Sequence, residues 1–152
     1  MLNDLGKEQA LNLGNVIRDK KIEFDVIFTS DLKRAIDSSD IAFPKYEKIR
    51  DSRLRECNYG SLDGEHKSLV IYEEHIEENF PDGESLLDVE MRVRDFLEDV
   101  KSNYAGKVVG IVAHRAPQLA LEVITNNISW EEAIKNDWRK TGDWHPGWEY
   151  TI

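Results

Sequence analysis

The sequence predicts an α/β fold, with helices packed around a mainly parallel sheet. Three observations carry this. Residues 25–29 and 107–112 are short apolar runs with the length and β-branched content of buried strands. Each runs directly into a stretch with a capping residue and helical spacing. Longer amphipathic stretches lie between them, so strands and helices alternate along the chain.

The elements follow in order. Asn3 or Asp4 caps a first helix running to about Lys20, with Leu5, Ala10, Leu13, Val16 and Ile17 as its apolar stripe. The first strand follows, ending at Thr29. Ser30 and Asp31 are capping types for a second helix through Ala35 and Ile41 to Pro44. Residues 49–54 read as a short extended piece and 58–64 as a loop. Leu69, Ile71 and Ile76 suggest a short helix, broken at Pro81-Asp82-Gly83. Ser85 opens a long helix with Leu86, Val89, Val93, Phe96, Leu97 and Val100 on one face, ended by Gly106. After the second strand, Pro117 fits the first turn of a helix carrying Leu119, Leu121, Val123 and Ile124. Ser129 caps another short helix, and residues 148–152 are expected to form an edge strand. There is no internal repeat or low-complexity linker, so residues 1–152 are expected to form a single domain.

Composition narrows the function. The net charge is -10 and no basic stripe is present, which argues against nucleic acid as a partner. An acidic balance still permits an anionic small ligand, provided a few cations gather in one pocket. No apolar run approaches the roughly 18 residues of a membrane span, and no secretory leader is visible. Cys57 is the lone cysteine, which excludes an internal disulfide and suits a cytoplasmic protein. It reads as a passive small residue. The run Glu73-Glu74-His75-Ile76-Glu77-Glu78 reads as a solvated helix face, not a metal site. Trp130, Trp138, Trp144 and Trp148 read as packing residues.

The chemistry gathers at two junctions of the same form. One strand ends at Ser30-Asp31-Leu32-Lys33-Arg34, the other at Ala113-His114-Arg115-Ala116-Pro117. Ligands of open α/β sheets bind beyond the carboxyl ends of strands. Helix starts favour anions through their backbone N–H groups and dipole. Arg34, His114 and Arg115 add cationic or potentially cationic side chains, so the pattern describes a phosphate site. Glu56, in the loop Arg53-Leu54-Arg55-Glu56, is placed to donate a proton, because a nearby anion would raise its pKa. Read singly, Arg34 is equally a surface arginine paired with Asp31 or Asp37. His114 is equally a capping or core histidine, and a loop glutamate is usually solvated. Arg55 and Arg115 are also readable as surface groups or as supports for the pocket.

Five segments in order resemble the histidine-phosphatase (phosphoglycerate-mutase-like) superfamily. They are residues 5–10, residues 29–35 with Arg34, Leu54-Arg55-Glu56 followed by Tyr59-Gly60 and Asp63-Gly64, Pro81-Asp82-Gly83-Glu84-Ser85 with Arg92-Val93 downstream, and Val112-Ala113-His114. The resemblance implies a three-layer fold with helices on both faces of the sheet. It implies that Arg34 and His114 hold phosphoryl oxygens and that Glu56 is the general acid or base; Arg115, where the family often has glycine or another small residue, would add a phosphate contact or crowd the pocket. Fixed cations of this kind stabilise the charge spread over a transferring phosphoryl group. No metal or cofactor is implied, since the cationic clamp takes the metal's place. The partner implied is a phosphorylated small molecule or phosphate anion.

The sequence departs from the pattern at its start. The family opens with a central strand ending in Arg-His-Gly, whose histidine takes the phosphoryl group, and no Arg-His-Gly occurs here. The chain is therefore expected to be truncated at its N-terminus and inactive as it stands. The alternative is a non-catalytic binder of phosphoryl ligands or partners. His66, His75 and His145 lie away from strand ends and are not expected to replace the lost histidine. Cys57 lacks the arginine a cysteine-phosphatase loop needs, since Asp63 stands six positions on. The resemblance puts the absent strand between the two strands found here, leaving two inner edges. A longer chain, a second copy or closure of the sheet would satisfy them, the first being the expected case. Unpaired edges also allow homo-oligomerisation.

Overall fold

The computed structural model describes residues 2–140, 142 and 147–152. Helix α1 (Asp4–Asp19) starts where Asn3 Oδ1 accepts from the Gly6 N–H at 2.8 Å. Strand β1 (Val26–Thr29), helix α2 (Lys33–Ala42) and strand β2 (Lys48–Arg50) follow. Helix α3 (Leu86–Asn103) opens with a capping box between Ser85 and Asp88. Strand β3 (Val109–Val112) leads into α4 (Arg115–Asn126), and α5 (Trp130–Lys135) is capped by Ser129.

The three strands are parallel in the order β2-β1-β3. Successive side chains point to opposite faces, so the strands serve two cores. Ile27 joins Ala42 and Phe43, with Leu13 and Ile17 of α1 packed against them. Phe28 joins the larger core of Leu86, Val89, Val93 and Phe96 on α3 with Leu119 and Val123 on α4. Helices α1 and α2 thus cover one face and α3, α4 and α5 the other, giving the three layers expected.

The gap expected between β1 and β3 is not there. The two strands pair directly, Val26 with Val109 through Thr29 with Val112. Gly110 makes the close pairing fit: a Cβ there would stand 3.1 Å from both Ile27 and Phe24. Among the described residues, the unpaired edges are the outer sides of β3 and β2.

Other expectations need correction. Leu5 is exposed, and Gly14, not a large side chain, marks where α1 crosses α2. The stretch around Leu69 to Ile76 holds two single 3₁₀ turns, at Lys67–Leu69 and Tyr72–Glu74, that fold the buried Tyr72 inward. Within it Glu73 pairs with Lys140 at 3.1 Å and His75 stacks on Phe80. Residues 148–152 form no strand; Tyr150 instead donates its hydroxyl to Glu122 on α4 at 2.6 Å. Trp130 is buried with its indole N–H on Glu90, and Arg139 lies over the rings of Trp138 and Trp148. Trp144 and His145 lie outside the described residues. Among the described residues, no helix is long and apolar enough to cross a membrane.

Candidate active site

Pairing of β1 with β3 brings the two strand–helix junctions side by side. The Ser30 N–H donates to Val112 O at 2.9 Å, one residue beyond the ladder. The buried Ser30 hydroxyl then stands 2.9 Å from His114 Nε2 and also accepts from the Leu32 N–H. Ser30, read from sequence only as a capping type, is the direct link between the junctions.

His114 is mostly shielded from water, and burial is the main reason its pKa falls to about 4. The cations of Arg34 and Arg92 push it the same way, while Asp31 pulls weakly against them. Three charged groups therefore surround one imidazole, which is neutral at pH 7. The expected cationic histidine needs an anion beside it to hold the proton.

Arg34 is exposed on the first turn of α2. Neither carboxylate offered as its surface partner takes it. Asp37 pairs with Lys33 at 3.0 Å, and Asp31 is held by both nitrogens of the Arg55 fork at 2.6 and 2.7 Å. Among the described residues Arg34 has no hydrogen bond or ion pair, so its guanidinium is available to a ligand.

Glu56 sits against the start of α4. Its Oε1 accepts from the Cys57 N–H at 2.9 Å and the Ala116 N–H at 3.0 Å. Burial raises its pKa, opposed by those two N–H groups and by the charges of Arg115 and Arg139. A carboxyl reluctant to ionise suits a proton donor. It also occupies one of the helix-start N–H groups that the sequence left open for an anion.

Arg115 is engaged by Asp137 and Tyr72. Its Nε donates to the buried Asp137 at 2.8 Å, and its guanidinium lies 4.0 Å from the centre of the Tyr72 ring. It forms a wall behind Glu56 with Arg139, which shares Asp137. Tyr72 in turn holds the Tyr59 hydroxyl at 2.5 Å.

Sequence reading missed the residues that hold the Glu56 loop. The Arg92 guanidinium donates to the carbonyls of Arg53, Arg55 and Glu56 at 2.7, 2.8 and 3.1 Å. It also forks onto Glu84 at 3.0 Å through two nitrogens. Glu84 Oε1 accepts from the Asn58 N–H at 2.9 Å. Glu84 precedes α3 and Arg92 lies on it, and no local pattern marks their meeting with the Glu56 loop. Cys57 is buried and its thiol pKa is pushed up by burial, in keeping with a passive role. Among the described residues no cluster of His, Cys, Asp or Glu is arranged to hold a metal.

The profile of the histidine phosphatase superfamily (branch 1) matches residues 1–143, and the chain belongs to this family. A 2,3-bisphosphoglycerate-dependent phosphoglycerate mutase of Chelativorans sp. (strain BNC1) is 31% identical, over 88% of this chain and 73% of the relative. The enzyme of the same name from Bifidobacterium longum (strain DJO10A) is 29% identical, over 88% of this chain and 70% of the relative. Bacillus stearothermophilus YhfR shares the fold with a TM-score of 0.75 at 23% identity, covering 87% of this chain and 70% of YhfR. A mycobacterial glucosyl-3-phosphoglycerate phosphatase, solved in complex with inorganic phosphate, shares it with a TM-score of 0.70 at 24% identity, covering 87% of this chain and 72% of that one.

Proposed function

We propose that this chain carries the anion-gripping and proton-transferring part of a cytoplasmic phosphatase or mutase that acts on a phosphomonoester through a phosphohistidine. The observation that supports it best is the Ser30–His114 contact across two strand ends, with the unpaired Arg34 close enough to act on the His114 charge and Glu56 bonded to the Ala116 N–H at the start of the same helix. The mycobacterial phosphatase that shares the fold binds inorganic phosphate, which fits such a clamp.

On this reading, Arg34 forks onto two phosphoryl oxygens and His114 donates to a third, taking up charge as the anion raises its pKa. The nucleophilic imidazole comes from a strand ending in Arg-His-Gly, which pairs with the free edge of β3 beside His114. Its nitrogen bonds to phosphorus as the ester oxygen leaves with a proton from Glu56. Water, activated by the resulting Glu56 carboxylate, then cleaves the phosphorus–nitrogen bond. A mutase would return the phosphoryl group to a second hydroxyl. No metal or cofactor is required. Residues 1–152 act as one domain, and a second copy of the chain on the β3 edge would give a homo-oligomer.

The test is turnover of p-nitrophenyl phosphate. The chain of residues 1–152 should give none, and a version bearing an added strand ending in Arg-His-Gly should turn over. A restored protein that folds yet stays inert overturns the reading.

A further inference from the structure

We propose that Arg92, held by Glu84, is the positioning residue for Glu56: it sets where the carboxyl stands by gripping the backbone of its loop. This rests on the reading of Glu56 as proton donor and names what keeps that donor in place.

The geometry is specific. Three carbonyls within four residues, Arg53, Arg55 and Glu56, converge on one guanidinium. Three carbonyls held by one guanidinium, one from the 3₁₀ turn at Ser52–Leu54 and two from the residues that follow it, fix the path of the loop. The Glu84 carboxylate orients the fork from the other side and reaches past it to the Asn58 N–H. Glu56 is thus bracketed, with its own carbonyl on Arg92 and the amide two residues on held by Glu84. The rest of the loop is pinned where chains cross. The Ser61 N–H donates to Pro81 O and the Glu84 N–H to Asn58 O, both at 2.8 Å. Gly60, at φ 58°, has no room for a Cβ, which would stand 1.9 Å from Pro81 O.

A guanidinium is suited to this and an ammonium is not. Arg presents donors in a rigid planar fork, whereas Lys offers a single point charge. Removing the fork frees the loop to move away from α4, and Glu56 loses the Ala116 N–H along with its shelter from water.

The test is the titration of Glu56, followed by carbon NMR of its carboxyl with the amide signals of Cys57 and Ala116. The groups facing Glu56 are Cys57, Tyr59, Tyr72, Arg115 and Arg139, and all are retained. In Arg92→Lys the Glu56 midpoint should fall toward the ordinary carboxylate range as water reaches it. The two amide signals should shift as their hydrogen bonds weaken. Arg53→Lys is the control, since Arg53 ties the loop's flank to Asp51, Asp95 and Asp99 and makes no bond to the Glu56 backbone. It should lower the melting temperature without moving Glu56. If Arg92→Lys does not fold, Glu84→Gln leaves the fork in place but removes the charge that orients it, and the same shift is expected. A folded variant of either kind with Glu56 unmoved overturns the proposal. Phosphate binding is measured separately on the unaltered chain; its absence would sink the functional reading while leaving this result to stand or fall by itself.

Discussion

Ser30 Oγ and His114 Nε2 lie 2.9 Å apart although 84 residues separate them in the chain. Each lies just beyond the end of a strand, and the strands are neighbours in register. The contact therefore reports the alignment of β1 with β3: a slip of one residue would turn each strand's side chains to the opposite face. It also explains why Ser30 tolerates burial. Its oxygen accepts from Leu32, and the imidazole satisfies the remainder of its hydrogen-bonding capacity.

The depressed pKa of His114 makes stability depend on pH. Its folded value of about 4 lies below the ordinary 6.5, so between these values the unfolded chain binds the extra proton. Stability from this source is full above pH 6.5 and falls as the pH drops toward 4, by roughly 3 kcal/mol at most. Glu56 acts in the opposite sense, because a raised carboxyl pKa costs stability once the pH passes its ordinary range. Comparing urea denaturation of the wild type and His114→Gln from pH 7.5 to 4 isolates the histidine contribution. The variant should lose much less stability on acidification; parallel profiles would contradict it.

Arg34 and Arg115 should separate ligand binding from stability. Arg34 is exposed and without a partner among the described residues, so Arg34→Ala should change stability by less than about 0.5 kcal/mol. It should abolish heat of binding for inorganic phosphate. Arg115→Ala leaves the buried Asp137 with Arg139 alone and should cost about 1–3 kcal/mol. Phosphate affinity should change little. Calorimetry and thermal melts on both variants decide it; the reverse pattern would return Arg115 to the anion site. Binding by this chain without turnover is also what the non-catalytic alternative requires.

Gly14→Ala sets helix propensity against packing. On propensity alone the change should stabilise α1 by about 1 kcal/mol. The added Cβ would stand 2.4 Å from Ala42 O, a backbone atom that cannot step aside without moving α2. The net effect should be destabilising by about 1–3 kcal/mol, read as a lower urea midpoint. An unchanged or raised midpoint would show that the two helices can separate freely.

Local chemistry is what marked the candidate site residues in the sequence. Arg34, Glu56 and His114 could be picked out because a strand running into a helix start, or a short motif around an acid, is written in adjacent residues. Helix α3 was equally plain, since Ser85 and six buried apolar positions repeat at the helical period. The insert misled because Leu69, Ile71 and Ile76 have helical spacing, whereas what organises that stretch is Tyr72 reaching Tyr59 and Arg115. Residues 148–152 misled because a strand needs a neighbouring edge, and Tyr150 is held by its hydroxyl on α4 instead.

By itself the sequence determined the alternation of strands and helices, the family, and the three residues at the heart of the proposed chemistry, since each depends on neighbours within about one helical turn or one strand. Tertiary structure alone decided that β1 pairs with β3, that His114 is neutral, that Arg115 turns to Asp137, and that Arg92 grips the loop of Glu56. Strand pairing, burial and charge depend on which distant segments meet, and residues 36 or 84 apart carry no local mark of their meeting.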